Sequence, residues 1–134
     1  MALTHADAKA FADRWFSAWN AARPDASGKL PPDRLDAIMS CYDESIEHSS
    51  PFIARFNGTN VSTLRGRAVV GEYFRRALEN NPTPPGVTRF QPLYVTTGQE
   101  SVLVVYRRMT GEIAGEVFFL NGAGKVVRSV SHYG

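Results

Sequence analysis

Only one cysteine, Cys41, is present in 134 residues. It excludes an intramolecular disulfide framework and a CxxC metal site. No stretch nears the ~18 consecutive apolar residues that a membrane-spanning helix requires. The N-terminus lacks the charged-then-apolar pattern of a secretory leader, so a soluble, cytoplasmic protein is the expectation. Basic runs are missing too: Arg75-Arg76 and Arg107-Arg108 are the only basic doublets. Fifteen Lys and Arg against 13 Asp and Glu leave a formal charge of +2. That balance argues against nucleic acid or an anionic membrane as a partner, since both need a concentrated basic face. His5, His48 and His132 fall in no HxH or HxxxH spacing, so no metal site is expected.

What is present is ordinary globular composition, 43% hydrophobic and 21% charged, in a length that fits a single domain over residues 1–134. Phe11, Trp15 and Trp19 recur every four residues, and Phe16 widens the stripe. They predict an amphipathic helix over about 6–22, capped near Thr4. The loop ARPDASGKLPP ends it. A second helix opens after Pro31-Pro32, with Leu35, Ile38, Met39 and Tyr42 at i, i+3, i+4 and i+7. A short strand over 45–50 turns Ile46, His48 and Ser50 to one face, Pro51 ends its pairing, and 54–65 reads as a polar loop. A third helix follows Gly66, carries Val69, Val70, Tyr73, Phe74, Ala77 and Leu78, and stops at Asn80-Asn81-Pro82.

From there the pattern is strand after strand, over about 88–97, 101–110, 112–120 and 125–133, with Gly at the connections. Helices followed by strands specify an α+β fold. Three N-terminal helices pack on a strongly curved, mostly antiparallel sheet, forming a cone with an internal pocket. The final strand places Ser129, Ser131 and Tyr133 on one face and Arg128, Val130 and His132 on the other. Glu116 shares a face with Phe118 and Leu120. A carboxylate on an apolar face is either paired with a cation such as Arg107 or Arg108, or pushed up in pKa by burial. His48 carries the side chain that titrates nearest neutrality.

The element order and four segments resemble the nuclear transport factor 2-like superfamily, in its SnoaL-like polyketide cyclase and ketosteroid isomerase-like branch. The segments are RWFSAWNA (14–21), CYDESIEHSSPF (41–52), GRAVVGEYFRRAL (66–78) and FFLNGAGKVVRSVSHYG (118–134). The resemblance covers nearly the whole chain and implies a cone whose sheet forms a homodimer face. It places the isomerase base, an Asp before the strand-closing Pro, on Ser50. The oxyanion tyrosine falls on Trp15 and its supporting tyrosine on Phe74, while the second oxyanion acid falls on Glu116. The base and both tyrosines are therefore replaced, and steroid isomerisation is not expected. An epoxide-hydrolase site, built on paired Asp residues and an Arg, is also not expected, because no Asp follows Asp43.

The resulting expectation is a cofactor-independent enzyme acting on a small apolar or partly polar organic ligand. Isomerisation, cyclisation or dehydration of a cyclic or polyketide-like substrate would use Glu116 and His48 as acid–base groups. Trp15, Trp19, Ser50, Phe74, Phe118, Ser129, Ser131 and Tyr133 would contact the ligand. The alternative from the same residues is a non-catalytic ligand-binding or dimerisation module of the same fold.

Overall fold

In the computed structural model, which describes residues 3–134, the chain opens with α1 (His5–Ala21). A capping box fixes its start: Thr4 Oγ1 accepts from the Asp7 backbone N–H at 3.1 Å, and the Asp7 carboxylate accepts from the Thr4 N–H. Its aromatic stripe, Phe11, Trp15, Phe16 and Trp19, is buried as the spacing predicts. α2 (Pro32–Met39) begins on proline and ends earlier than the i+7 pattern implies. Tyr42 continued the helical period, but it opens strand β1 (Tyr42–Ser49) instead. The Cys41 carbonyl accepts from the Val126 N–H, so the sheet takes over the backbone one residue before Tyr42. Cys41 is a buried thiol in this turn, its pKa raised by burial.

Pro51 does close the short strand, but it also starts a helix. α3 (Pro51–Asn57) is capped by Ser50, whose hydroxyl accepts from the Phe52 N–H, and Gly58 at φ 67° terminates it. It occupies part of the segment expected to be loop, as does the short strand β2 (Thr63–Arg65). Among the described residues the fold therefore has four helices rather than three. α4 (Arg67–Asn80) buries Val70, Phe74 and Leu78, and β3 (Phe90–Gly98), β4 (Ser101–Arg108), β5 (Ile113–Leu120) and β6 (Val126–Tyr133) follow.

The six strands form one curved, open sheet in the order β2-β1-β6-β5-β4-β3. All neighbours are antiparallel except β1 and β6, which run parallel. Register irregularities at Pro92/Tyr94 in β3 and at Phe119/Leu120 in β5 bend the sheet around the helices. The β5–β6 turn rests on Asn121, whose Oδ1 accepts from the Ala123 and Lys125 N–H groups, while Gly124 takes φ 74°. Asn121 Nδ2 also donates to Asp43 Oδ1 at 3.1 Å, fixing the turn to the start of β1. Among the described residues, no helix is long and apolar enough to cross a membrane. No group of three His, Cys, Asp or Glu side chains among them is arranged to hold a metal ion.

Candidate functional site

Strand register decides which side chains meet inside the sheet. Glu116 lies opposite Val104 on β4 and Ser131 on β6, and Ala114 lies opposite Tyr106 and Tyr133. All of these point to the concave face, which α1 and α4 cover. The helices leave a cavity of about 360 Å³ between them and the sheet, within the size range of small-molecule sites. Aromatic rings from four directions line it: Trp15 and Trp19 from α1, Tyr73 and Phe74 from α4, Phe52 and Phe56 from α3, and Tyr106 and Tyr133 from the sheet.

Glu116 is the only acidic residue in the lining and is 6% exposed. Ser131 Oγ donates to its Oε2 at 2.6 Å and Tyr106 Oη donates to its Oε1 at 3.2 Å. Neither Arg107 nor Arg108 reaches it, contrary to the pairing that sequence proximity suggested. Arg107 points outward to the Gly111 carbonyl, and Arg108 pairs with Glu112 at 3.4 Å. With no cation beside it, burial dominates and pushes the Glu116 pKa up to about 7, against the smaller lowering by its two hydroxyl donors. The protonated and ionised forms are therefore of comparable population at neutral pH. Relative to an exposed glutamate, the ionised form carries a penalty of about 3 kcal/mol.

His48 lies on the same wall, 5% exposed, edge-on to Phe74 at 5.2 Å. Its Nδ1 is 2.6 Å from Ser129 Oγ, which leaves Nε2 as the ring nitrogen toward the cavity. Burial lowers its pKa to about 4, so the ring is neutral at pH 7 and a weak base. Ser129 serves this ring from behind and is not part of the lining. Phe118 also sits deeper than the sequence suggested, fully buried between Phe11 and Trp15. The remaining residues singled out from sequence, Trp15, Trp19, Ser50, Phe74, Ser131 and Tyr133, do line the cavity together.

Several lining groups were not singled out. The Tyr42 hydroxyl oxygen accepts from Trp15 Nε1 at 3.0 Å, and Trp19 Nε1 approaches it without reaching hydrogen-bond geometry. Its own proton is thereby left to be given elsewhere. Tyr73 lies near Ser50, its pKa raised to about 12 chiefly by burial. Phe52, stacked on Tyr133 at 4.0 Å, is another such group. Arg55, Arg89 and Arg108 also line the cavity, with Ala77, Asn81 and Phe90. The i+7 spacing of Tyr42 assigned it to a helix core, sequence proximity offered Arg108 only as a partner of Glu116, and Arg55 and Arg89 lie far from Arg108 in sequence.

No protein-family model matches the chain, and neither does any curated protein. Solved structures do match. A SnoaL-like protein of unknown function from Burkholderia thailandensis is 35% identical, with 98% of each chain covered and a TM-score of 0.80. An NTF2-like protein of unknown function from Burkholderia xenovorans is 14% identical over 96% of this chain and 83% of its own, with a TM-score of 0.64. An epoxide hydrolase/cyclase-like enzyme of pyran-ring formation in salinomycin is 21% identical over 96% and 92%, at a TM-score of 0.62. The last two share the fold. The chain belongs to the SnoaL-like branch of the nuclear transport factor 2-like superfamily.

Proposed function

We propose that the protein is a cofactor-independent enzyme performing acid–base chemistry, an isomerisation, cyclisation or dehydration, on a small cyclic organic substrate held in the cavity. The observation that carries this reading is Glu116: a carboxyl buried on the cavity wall, held by Ser131 and Tyr106, with no cation beside it. A group poised near neutrality exchanges a proton in either direction at little cost. In its protonated form it donates to a developing oxyanion, and in its ionised form it removes a proton from carbon. The Tyr42 hydroxyl supplies a second donor. His48, neutral at pH 7, contributes a hydrogen bond through Nε2 rather than acting as the base. The SnoaL-like relationship and the likeness to a cyclase-like enzyme support the reaction class.

One observation favours a non-catalytic binding module instead. Ser50, at the position of the isomerase base, uses its hydroxyl to cap α3. The two readings separate in one experiment. A thermal-shift screen of cyclic ketones, phenols and polyketide fragments supplies a ligand, and turnover of its reactive analogues is then compared with Glu116→Gln. An enzyme loses at least about a hundredfold in kcat, and a binding module shows no turnover and a modest change in Kd.

The reading extends to a homodimer through the convex face of the sheet. Tyr94 is 68% exposed there, and Leu103, Val117 and Phe119 form an apolar patch beside it. A second copy would cover that patch.

A further inference from the structure

We propose that the ligand of this cavity is an organic acid, with an apolar ring system against the aromatic walls and a carboxylate seated at Arg89 and Arg108. This inference rests on the pocket reading above and adds the charge and polarity of the substrate. Arg89 precedes β3 and is only 8% exposed, yet it lines the cavity. Its Nη1 donates to the Asn81 carbonyl at 2.8 Å and to Thr83 Oγ1 at 3.4 Å, which ties down the loop after α4. That accounts for one edge of the guanidinium. Its Nε is buried without any hydrogen-bond partner, and among the described residues no carboxylate forms an ion pair with it.

A buried, incompletely satisfied guanidinium is costly unless an anion completes it. Its neighbour is a second cation. Arg108, on β4, lies over the rings of Phe52 and Tyr133 at 5.1 and 5.2 Å and pairs only loosely, at 3.4 Å, with the half-exposed Glu112. Burial, with repulsion from Arg108 as the smaller cause, lowers the Arg89 pKa to about 10. Arg55, over the Phe52 ring at 4.9 Å, adds a third positive charge to the lining. Glu116 is the only acid there. An Arg guanidinium matches a planar carboxylate geometrically, so one such group against the part of Arg89 that lines the cavity would supply the missing counter-charge and relieve the repulsion from Arg108. The aromatic walls then require the rest of the molecule to be apolar.

The test is calorimetric and thermal-shift titration, at pH 7.5, of matched pairs: benzoate with benzamide, phenylacetate with phenylacetamide, and 1-naphthoate with 1-naphthamide. Inorganic phosphate is run alongside. The carboxylates are expected to bind at least about tenfold tighter than their amides. In Arg108→Gln, and separately in Arg89→Lys, the ratio of acid to amide affinity should fall to within about threefold. The lysine variant keeps the charge but loses the fork, and Arg108 does not anchor the Asn81 loop, so the pair guards against a folding artefact. Amides binding as well as acids would overturn the anion assignment and leave the pocket reading standing. Phosphate binding as tightly as the aryl acids would overturn the organic-acid assignment in favour of a bare anion site. Failure of every acid and amide to bind at 10 mM would overturn both readings. Persistence of the acid preference in both arginine variants would exclude these residues as its source.

Discussion

Ser131 on β6 donates a 2.6 Å hydrogen bond to Glu116 on β5, and the two are directly paired residues across the antiparallel ladder. The contact stabilises the ionised carboxylate in a site where burial disfavours it. Removing the donor should therefore raise the Glu116 pKa further. Ser131→Ala is expected to shift the alkaline-going limb of any Glu116-dependent pH profile to higher pH, and Tyr106→Phe should do so as well. Stability should fall by about 1–3 kcal/mol above pH 7, where the carboxylate loses a donor. The pH dependence of ligand binding or turnover reads the shift. A profile unmoved in both variants would disconnect Glu116 from the titration.

Glu116 and His48, buried groups that titrate between pH 4 and 7, act on stability with opposite signs. Folding raises the Glu116 pKa from 4.5 to about 7, so between those values the native state holds a proton that the unfolded chain has released. Its contribution is greatest below pH 4.5 and is lost as pH rises through 7. Folding lowers the His48 pKa from 6.5 to about 4, so the unfolded chain takes up a proton first. Its contribution is present above pH 6.5 and is lost as pH falls through 4. Over pH 4.5–6.5 the two slopes oppose each other. Glu116→Gln should expose the histidine slope, losing about 2–3 kcal/mol on acidification across that window. His48→Asn should expose the glutamate slope, with stability rising on acidification. Urea denaturation at several pH values measures both, and parallel curves for the two variants would contradict the assignment.

Tyr42→Phe removes a hydroxyl that accepts from Trp15 Nε1 and faces the cavity. Leaving that indole N–H without its acceptor should cost about 1–3 kcal/mol in stability. If Tyr42 donates to the ligand, affinity should also fall by about tenfold. Melting temperature and Kd, measured on the same samples, distinguish the two losses. A lower melting temperature with unchanged Kd would confine Tyr42 to the core.

The convex face makes a prediction of its own. Leu103 and Phe119 project from adjacent strands away from the core, 37% and 40% exposed. In a homodimer joined there, Leu103→Asp with Phe119→Asp should give a folded monomer by analytical ultracentrifugation. A wild-type chain that sediments as a monomer at micromolar concentration would remove this interface from the account.

Much of this arrangement was legible in the sequence because it depends on short periods. The four-residue recurrence of Phe11, Trp15 and Trp19 placed α1 on the core; alternation by twos put Glu116 on the face of Phe118 and Leu120 and grouped Ser131 with Tyr133, and the family resemblance turned the latter face to the cavity. What escaped depends on tertiary context. Tyr42 matched a helical spacing, but β6 captures the Cys41 carbonyl and turns the chain into a strand. The seven residues of α3 are too few for a period to emerge, and the helix start was hidden behind a proline read as a stop. Phe118 and Ser129 were assigned the right face but not the right depth, because alternation says nothing about which inward residue lies beneath a helix. Arg89 and Arg108 meet only because the loop before β3 runs beside the end of β4, where the Met109 N–H donates to the Arg89 carbonyl.

Glu116 is a cavity carboxyl that burial holds near neutral pH. A carbon-detected NMR titration of the glutamate side-chain carboxyls from pH 3 to 9, with the resonance assigned by its loss in Glu116→Gln, tests it without any substrate. One glutamate is expected to titrate with a midpoint near 7. A Glu116 midpoint at the ordinary value near 4.5 would contradict it.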